Sequence, residues 1–150
     1  MCSAGTRFDP RIGNNTMTTS SLSPAETGVL AQHQAQLAQG QFQIQKCQSC
    51  HQHIYFPREL CPHCGSDDVA FVTPSGQGTV YAVTTVRRKA AEGGDYNVSL
   101  VDLDEGPRLM SRVSNCAPEA VHIGLRVQAH VVVTDGQGVV LFNALDGVAP

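Results

Sequence analysis

Residues 47–66 read CQSCHQHIYFPRELCPHCGS, and their pattern is the strongest structural signal in the N-terminal half of the chain. It contains two Cys-x-x-Cys pairs, Cys47 with Cys50 and Cys61 with Cys64, separated by ten residues. Each pair places two thiolates on one tight turn, and four thiolates fill the tetrahedral shell of zinc without leaving a position for water or substrate. The spacing therefore predicts a structural zinc ion, with Gly65 supplying a positive φ after the last ligand.

Other interpretations of these residues stay open. Iron also accepts four thiolates, which would make the protein an electron carrier. A redox dithiol normally stands alone beside a βαβ pattern, which this sequence lacks. We interpret His51, His53 and His63 as surface residues because four cysteines already complete the site, and Cys116 as a small filler residue rather than a nucleophile.

Composition excludes several classes of protein. The chain has 150 residues, a hydrophobic fraction of 41% and a formal net charge of -3, so no global field favours nucleic acid or an anionic membrane. No apolar run approaches the roughly 18 residues that span a bilayer. The N-terminus is polar and lacks a secretion signal, and paired cysteines fit a reducing compartment. We therefore expect a cytoplasmic protein without a membrane partner.

A helix is predicted before the cysteine pairs. Ser23 is the candidate N-cap, Pro24 occupies the first helical position, Glu26 completes a capping box, and Gly40 ends the helix. Leu30, Gln34, Leu37 and Ala38 recur at helical spacing and form the predicted apolar stripe of this helix. Phe42 and Ile44 then alternate with Gln41, Gln43 and Gln45, which predicts a short strand leading into Cys47.

After the cysteine pairs the sequence reads as strands separated by turn signals. The predicted strands are Val69–Thr73, Gly78–Arg88, Asn97–Leu103, Arg108–Ser114, Leu125–Thr134 and Val139–Asn143, in addition to Ile54–Pro57 inside the ribbon. Hairpin turns are predicted at 104–107 and 135–138, and a helical turn within 116–124 that begins at Pro118. With Val69–Thr73 as a link, five strands with a helical connection between the third and fourth have the order of an OB-fold barrel.

The predicted fold is therefore mainly β: an N-terminal helix, a rubredoxin-like zinc ribbon and a five-stranded OB-fold barrel. We divide the chain into a disordered segment (1–22), a helix (23–40), the zinc ribbon (41–66) and the OB-fold domain (67–150). Residues 1–22 are rich in Ser, Thr, Gly and Asn, and Met17 is an alternative start.

This order of motifs resembles the domain of unknown function thirty-five family, also described as OB-fold proteins associated with acyl-CoA metabolism. The resemblance rests on the helix, CQSCHQHIYFPRELCPHCGS, SGQGTVYAVTTV, VSLVDLDEGPRLMSRV and VHIGLRVQAHV, and covers roughly residues 25–145. It differs from the family in one respect, because the helix has no bulky aromatic residue before Phe42.

The resemblance implies a non-catalytic accessory subunit in a hetero-oligomer with a thiolase-fold enzyme that acts on acyl-CoA thioesters. In such a complex the ribbon and helix dock the partner, and the barrel helps to bind coenzyme A. The dense basic run Arg87, Arg88 and Lys89, at the end of a long strand, is the candidate site for coenzyme A phosphates. The sequence shows no catalytic constellation of its own, and we interpret Asp102, Asp104 and Glu105 as a solvated hairpin tip.

A single-stranded nucleic-acid binder is the alternative function, because a zinc ribbon with an OB-fold is also a nucleic-acid architecture. Such a protein needs a basic groove with stacking aromatic residues. Residues 65–150 contain six Lys and Arg against ten Asp and Glu, and only four aromatic residues. Both counts disfavour nucleic acid as a partner.

Overall fold

The computed structural model describes residues 28–145. Its elements are α1 (Val29–Ala38), β1 (Ile44–Cys47), β2 (His53–Ile54), β3 (Val69–Val72), β4 (Gln77–Val86), β5 (Tyr96–Leu103), β6 (Arg108–Ser111), β7 (Arg126–Thr134) and β8 (Gln137–Ala144). Short 3₁₀ turns lie at Ala90–Glu92 and Pro118–Ala120; the second begins at the predicted proline, and the first was not predicted. The predicted fold class is confirmed: one helix, a ribbon and a barrel follow each other along the chain.

Helix α1 ends as its sequence predicts. Gly40 has a φ of 77° and its N–H donates to the carbonyl of Leu37 at 2.9 Å. The N–H of Gln41 donates to the carbonyl of Gln36 at 2.9 Å, which completes a Schellman motif.

The predicted apolar stripe of α1 is partly wrong. His33 and Leu37 are buried, whereas the Leu30 side chain is 48% exposed. The helix is rotated so that His33, rather than Leu30, meets the aromatic residues of the ribbon. The predicted start of the helix at Ser23, Pro24 and Glu26, the segment 1–22 and Met17 lie outside the described residues.

The ribbon is a three-stranded antiparallel sheet in the order β2-β1-β3. Strand β3, expected only as a link to the barrel, pairs with β1 from Ile44 opposite Val72 to Cys47 opposite Val69. Strand β2 is limited to two residues, because the chain after Ile54 leaves the sheet. Gln45 is buried, like its neighbour Ile44, since its Oε1 accepts the backbone N–H of Arg58 at 2.7 Å.

The barrel is a five-stranded antiparallel sheet in the order β6-β5-β4-β7-β8. Strand β4 pairs with β5 from Gly78 to Val86 and with β7 at its first three residues, as a bent first strand of an OB-fold must. A bulge between Val80 and Ala82 accommodates the bend. The sheet nearly closes where Ser114 N–H donates to the Phe142 carbonyl and Phe142 N–H donates to the Arg112 carbonyl, both at 2.9 Å.

The β5–β6 and β7–β8 hairpin turns each lie within a predicted turn, although the turn predicted at 135–138 is shorter in the structure. Asp135 and Gly136 have φ values of 52° and 75°, the signature of a two-residue type I′ turn between Thr134 and Gln137. This turn connects β7 and β8, which pair without a register shift from Thr134 opposite Gln137 to Val127 opposite Ala144.

One hydrophobic core joins all three parts of the fold. The buried cluster contains Leu37 from α1 and Ile44 from the ribbon together with barrel residues such as Val101 and Phe142. Cys47, Ile54 and Cys61 form a second, smaller cluster around the thiols. The ribbon is therefore fixed to the barrel by shared apolar contacts and not only by the chain that links them. No helix among residues 28–145 has the length and apolar character needed to cross a membrane.

Candidate metal centre and basic segment

The two Cys-x-x-Cys turns have the same backbone geometry. In the first, His51 N–H donates to the Cys47 carbonyl at 2.9 Å; in the second, Gly65 N–H donates to the Cys61 carbonyl at 2.8 Å. Both closing residues have a positive φ, 61° at His51 and 77° at Gly65. The conformation predicted for Gly65 is confirmed, and His51 adopts the same conformation without the freedom of glycine.

These turns bring four thiols together. The Sγ atoms of Cys47, Cys50, Cys61 and Cys64 all lie within 4.8 Å of one another. The Sγ atoms of Cys47 and Cys64 are 3.6 Å apart, as are those of Cys50 and Cys61. Zinc–sulfur bonds of about 2.3 Å in a tetrahedron place the sulfurs about 3.8 Å apart, so the arrangement fits a tetrathiolate metal site.

The surroundings of the four thiols favour deprotonation of Cys47 before that of Cys50. The backbone N–H groups of Cys50 and Ser49 lower the pKa of Cys47 to about 6. The N–H of Gln52 favours the Cys50 thiolate too, but burial and the thiols of Cys61 and Cys47 outweigh it and raise the pKa of Cys50 to about 12. Because a metal takes only deprotonated sulfur, binding at this cluster releases protons and weakens as pH falls.

The other predicted or excluded candidates lie apart from the thiol cluster. Among the described residues, the group placed to hold a metal consists of the four cysteines alone, without His51, His53 or His63. The remaining described cysteine, Cys116, is half-buried near the barrel core, and burial raises the pKa of its thiol. A protonated thiol is a poor nucleophile, which agrees with the interpretation of Cys116 as a filler residue.

The three basic residues Arg87, Arg88 and Lys89, which follow β4, have different surroundings. The Arg87 guanidinium bonds Asp95 at 2.5 Å and Glu119 at 2.6 Å, so two carboxylates already match its charge. The hydrogen bond from Arg87 also holds the pKa of the Asp95 carboxyl below its usual value. Arg88 lies over the Tyr96 ring, with its Cζ atom 5.2 Å from the centroid, and Lys89 is exposed.

The acidic residues near the β5–β6 turn are each bonded. Asp102 accepts two hydrogen bonds from Arg108, and Asp104 accepts two from Arg126 at 2.7 Å. These bonds lower the pKa of both carboxyls, which keeps them ionised rather than poised for proton transfer. Glu105 accepts the N–H of Ser75 at 2.6 Å and so fixes the entry to β4.

One surface of the barrel was not predicted from the sequence. Arg108 and Arg112 stack on tyrosines of the barrel, Arg108 on Tyr81 at 3.4 Å and Arg112 on Tyr96 at 5.8 Å from the ring centroids. The available signal was the alternation Arg108-x-Met110-x-Arg112, which places Arg108 and Met110 on the same side of β6, with Arg112 directly after the strand.

Two family models match adjoining parts of the chain. The model described as the ChsH2 rubredoxin-like zinc ribbon domain matches residues 35–70, and that described as the ChsH2 C-terminal OB-fold domain matches residues 71–133. Together they cover more than half of the chain.

Two curated relatives are similar to this chain over part of their length. A DUF35 domain-containing scaffold protein of Methanocaldococcus jannaschii is 33% identical over 89 residues, which make up 56% of this chain and 62% of that protein. A probable enoyl-CoA hydratase alpha subunit of Thermomonospora curvata is 36% identical over 86 residues, 56% of this chain and 27% of that protein. The chain therefore spans less than two thirds of the length of either relative.

One solved structure matches nearly the whole of its own chain. It belongs to the Ltp2-ChsH2(DUF35) aldolase, with a TM-score of 0.69 and 29% identity, and the match covers 81% of this chain and 98% of that chain.

Proposed function

Because the chain belongs to the DUF35 family of zinc-ribbon and OB-fold proteins, we propose that it is a non-catalytic accessory subunit of a thiolase-fold enzyme that acts on acyl-CoA thioesters. The observation that carries the proposal is the match to almost the full length of a chain from the Ltp2-ChsH2(DUF35) aldolase. The relative named a scaffold protein supports a structural role, and the relative named a hydratase subunit supports acyl-CoA chemistry in the partner.

The chemistry of the described residues supports an accessory role. The four clustered thiols are suited to a closed metal shell, the carboxylates Asp102 and Asp104 are bonded to arginines, and burial keeps the Cys116 thiol protonated. We therefore place the reaction on the partner, with this chain holding and orienting it.

We assign the metal site to zinc with a structural role, and Cys47, Cys50, Cys61 and Cys64 would hold the ion. Bound there, zinc would supply cross-linking of the two turns and no reaction chemistry, because four thiolates leave no open position. The same residues also suit iron, which the colour of the purified protein distinguishes.

The proposed complex is tested by co-expression with a thiolase-fold protein encoded beside this chain, followed by size-exclusion chromatography and a thiolysis assay. We expect the two proteins to elute together, with activity that neither shows alone. Separate elution, with full activity in the larger protein, would contradict the proposal.

We further propose that coenzyme A phosphates contact the segment Arg87, Arg88 and Lys89. Arg87 is already bonded to two carboxylates, and Arg88 lies over the ring of Tyr96, whereas Lys89 is exposed, so we test the segment at Lys89. Lys89→Ala should weaken coenzyme A binding about fivefold to tenfold in isothermal titration calorimetry, as the loss of one charge-assisted contact to phosphate would. Lys46→Ala, on the ribbon, is the matched control and should bind like the wild type; equal affinity of both variants would remove the segment from the site.

A further inference from the structure

The outer side of strands β4, β5 and β6 is apolar where an open face of an antiparallel sheet is normally polar. Along β5, Asn97, Ser99, Val101 and Leu103 are buried and point into the barrel, so the alternate residues point outward. The outward positions are Tyr96, Val98, Leu100 and Asp102. This strand therefore presents two aliphatic side chains and one aromatic side chain on its outer side.

The neighbouring strands extend this apolar strip. Leu100 pairs with Ala82 on β4 and with Met110 on β6, so these three residues lie side by side across the sheet. The bulge between Val80 and Ala82 adds Tyr81 to the same side. Met110 is 71% exposed and Tyr81 is 51% exposed. We call the surface formed by Tyr81, Tyr96, Val98, Leu100 and Met110 the outer barrel face.

Arginines surround this face. Arg108 lies over Tyr81, and Arg88 and Arg112 lie at 5.2 and 5.8 Å from the centroid of Tyr96. Arg108 is bonded to Asp102, but among the described residues no carboxylate bonds the side chain of Arg88 or Arg112. The face is thus an apolar centre with excess positive charge at its rim.

We propose that the outer barrel face docks a protein partner through a complementary surface, apolar in the middle and bearing carboxylates at its edge. Tyrosine, arginine and methionine are the residue types enriched at the centre of protein interfaces. The excess charge of Arg88 and Arg112 selects an acidic rim on the partner and disfavours a second copy of the same face, which would bring like charges together. The proposal rests on the proposed function, since that supplies the partner, and adds the barrel to the surfaces that hold it.

The arrangement favours protein over single-stranded nucleic acid. Bases bind OB-folds by stacking on open aromatic rings, but here a guanidinium already lies over a face of each tyrosine. Methionine and aliphatic side chains fill the space between the two rings. Residues 65–150 also carry more acidic than basic side chains, which opposes a phosphate backbone.

The test uses the full chain and the thiolase-fold partner in the co-elution experiment, with affinity measured by surface plasmon resonance. Met110→Asp and Arg112→Glu change the centre and the rim of the face at exposed positions. Ile123→Asp is the matched control, because Ile123 is 69% exposed and lies outside the three strands. Thermal unfolding of each variant establishes that it is folded.

We expect Met110→Asp and Arg112→Glu to weaken binding about tenfold or more, whereas Ile123→Asp binds like the wild type. Co-elution of the wild type with unchanged affinity in both face variants would overturn this inference and leave the proposed function intact. Failure of the wild type to co-elute would overturn both. A fluorescent oligothymidylate serves as the second probe: if the wild type binds it and the face variants lose only that binding, the face belongs to nucleic acid and the inference is wrong.

Discussion

The side chain of Asn97 replaces a strand pairing that the backbone does not make. Its Nδ2 donates to the carbonyl of Val113 at 2.8 Å and its Oδ1 accepts the N–H of Val113 at 3.0 Å, just beyond the end of β6. Ser99 donates its hydroxyl to the same Oδ1 at 3.1 Å. Since all three residues are buried, the amide satisfies polar groups that would otherwise lack partners where the barrel closes.

In contrast to Asn97, His33 is a buried polar residue whose ring nitrogens make no hydrogen bond with the described residues. It is almost fully buried between α1 and the ribbon, and neither ring nitrogen has a partner among the described residues. The centroid of its ring lies 5.8 Å from that of Tyr55, 6.0 Å from that of Phe56 and 6.4 Å from that of Phe71. Burial lowers the pKa of His33, because the charged imidazolium would lose its hydration among aromatic rings.

This burial predicts a pH dependence of stability. The unfolded chain takes up a proton on His33 near pH 6.5, whereas the folded chain resists protonation until lower pH. The stabilisation is therefore present above about pH 6.5 and is lost as pH falls through the interval below it. His33→Phe keeps an aromatic ring and removes the titration, so its free energy of unfolding in urea should fall less between pH 7 and pH 5 than that of the wild type.

Comparing the wild type with His33→Phe separates the titration of His33 from that of the thiols, because both proteins contain the same cysteines. Parallel curves of stability against pH for the wild type and His33→Phe would show that His33 does not titrate on unfolding. A steeper loss in the wild type supports the interpretation.

Among the secondary-structure elements, the position of α1 depends on a glycine of the barrel, Gly138. The end of α1 packs on β8, and a Cβ atom built at Gly138 would overlap the backbone carbonyl and the side chain of Leu37. The sequence assigned Gly138 to a hairpin turn, but the turn itself consists of Asp135 and Gly136. Gly138 is required instead for the close approach of the helix to the strand.

Gly138→Ala should therefore displace α1. We expect a loss of about 1–3 kcal/mol in the free energy of unfolding, the usual cost of overpacking, and faster proteolysis within residues 29–38. Val139→Ala is the control, because Val139 is exposed and its truncation should change stability by less than about 0.5 kcal/mol. Equal stability of the two variants would mean that the helix adjusts without cost.

At the scale of the whole molecule, the shared core couples the ribbon to the barrel. Ile44, immediately before the first cysteine turn, is fully buried in the same cluster as Val101 and Phe142. Phe42 and Tyr55 pack against that cluster from the ribbon side. Loss of order in the ribbon should therefore expose barrel core as well as the thiols.

Metal removal tests this coupling. The purified protein should contain one zinc per chain by plasma mass spectrometry, and a chelator should lower the midpoint of a single thermal transition by about 5 °C or more. Cys61→Ser should show the same shift without chelator, whereas Cys116→Ser, outside the thiol cluster, should retain the metal. A brown-red protein with bound iron would correct the metal assignment, and an unchanged midpoint after metal loss would contradict the coupling.

The features that can be predicted from the sequence are those with local signals. The two cysteine turns, the stop at Gly40, the Asp-Gly hairpin and the strand near Asn97–Leu103 each depend on conformational preferences of a few adjacent residues, and the structure confirms them. The strand predicted at Ile54–Pro57 is wrong beyond Ile54, and Gln45, predicted to alternate with buried residues, is itself buried. The fold class and the family follow from the order of these signals along the chain.

Features that join residues far apart in sequence became visible in the three-dimensional structure. The burial of Gln45 and His33, the exposure of Leu30, the pairing of Arg87 with Glu119 and the outer barrel face all depend on how the helix, ribbon and barrel pack. The physical reason is that packing competes for each side chain with partners that are not its neighbours in sequence. Local propensity fixes which element a residue joins, and the shared core fixes which of its faces meets protein and which meets solvent.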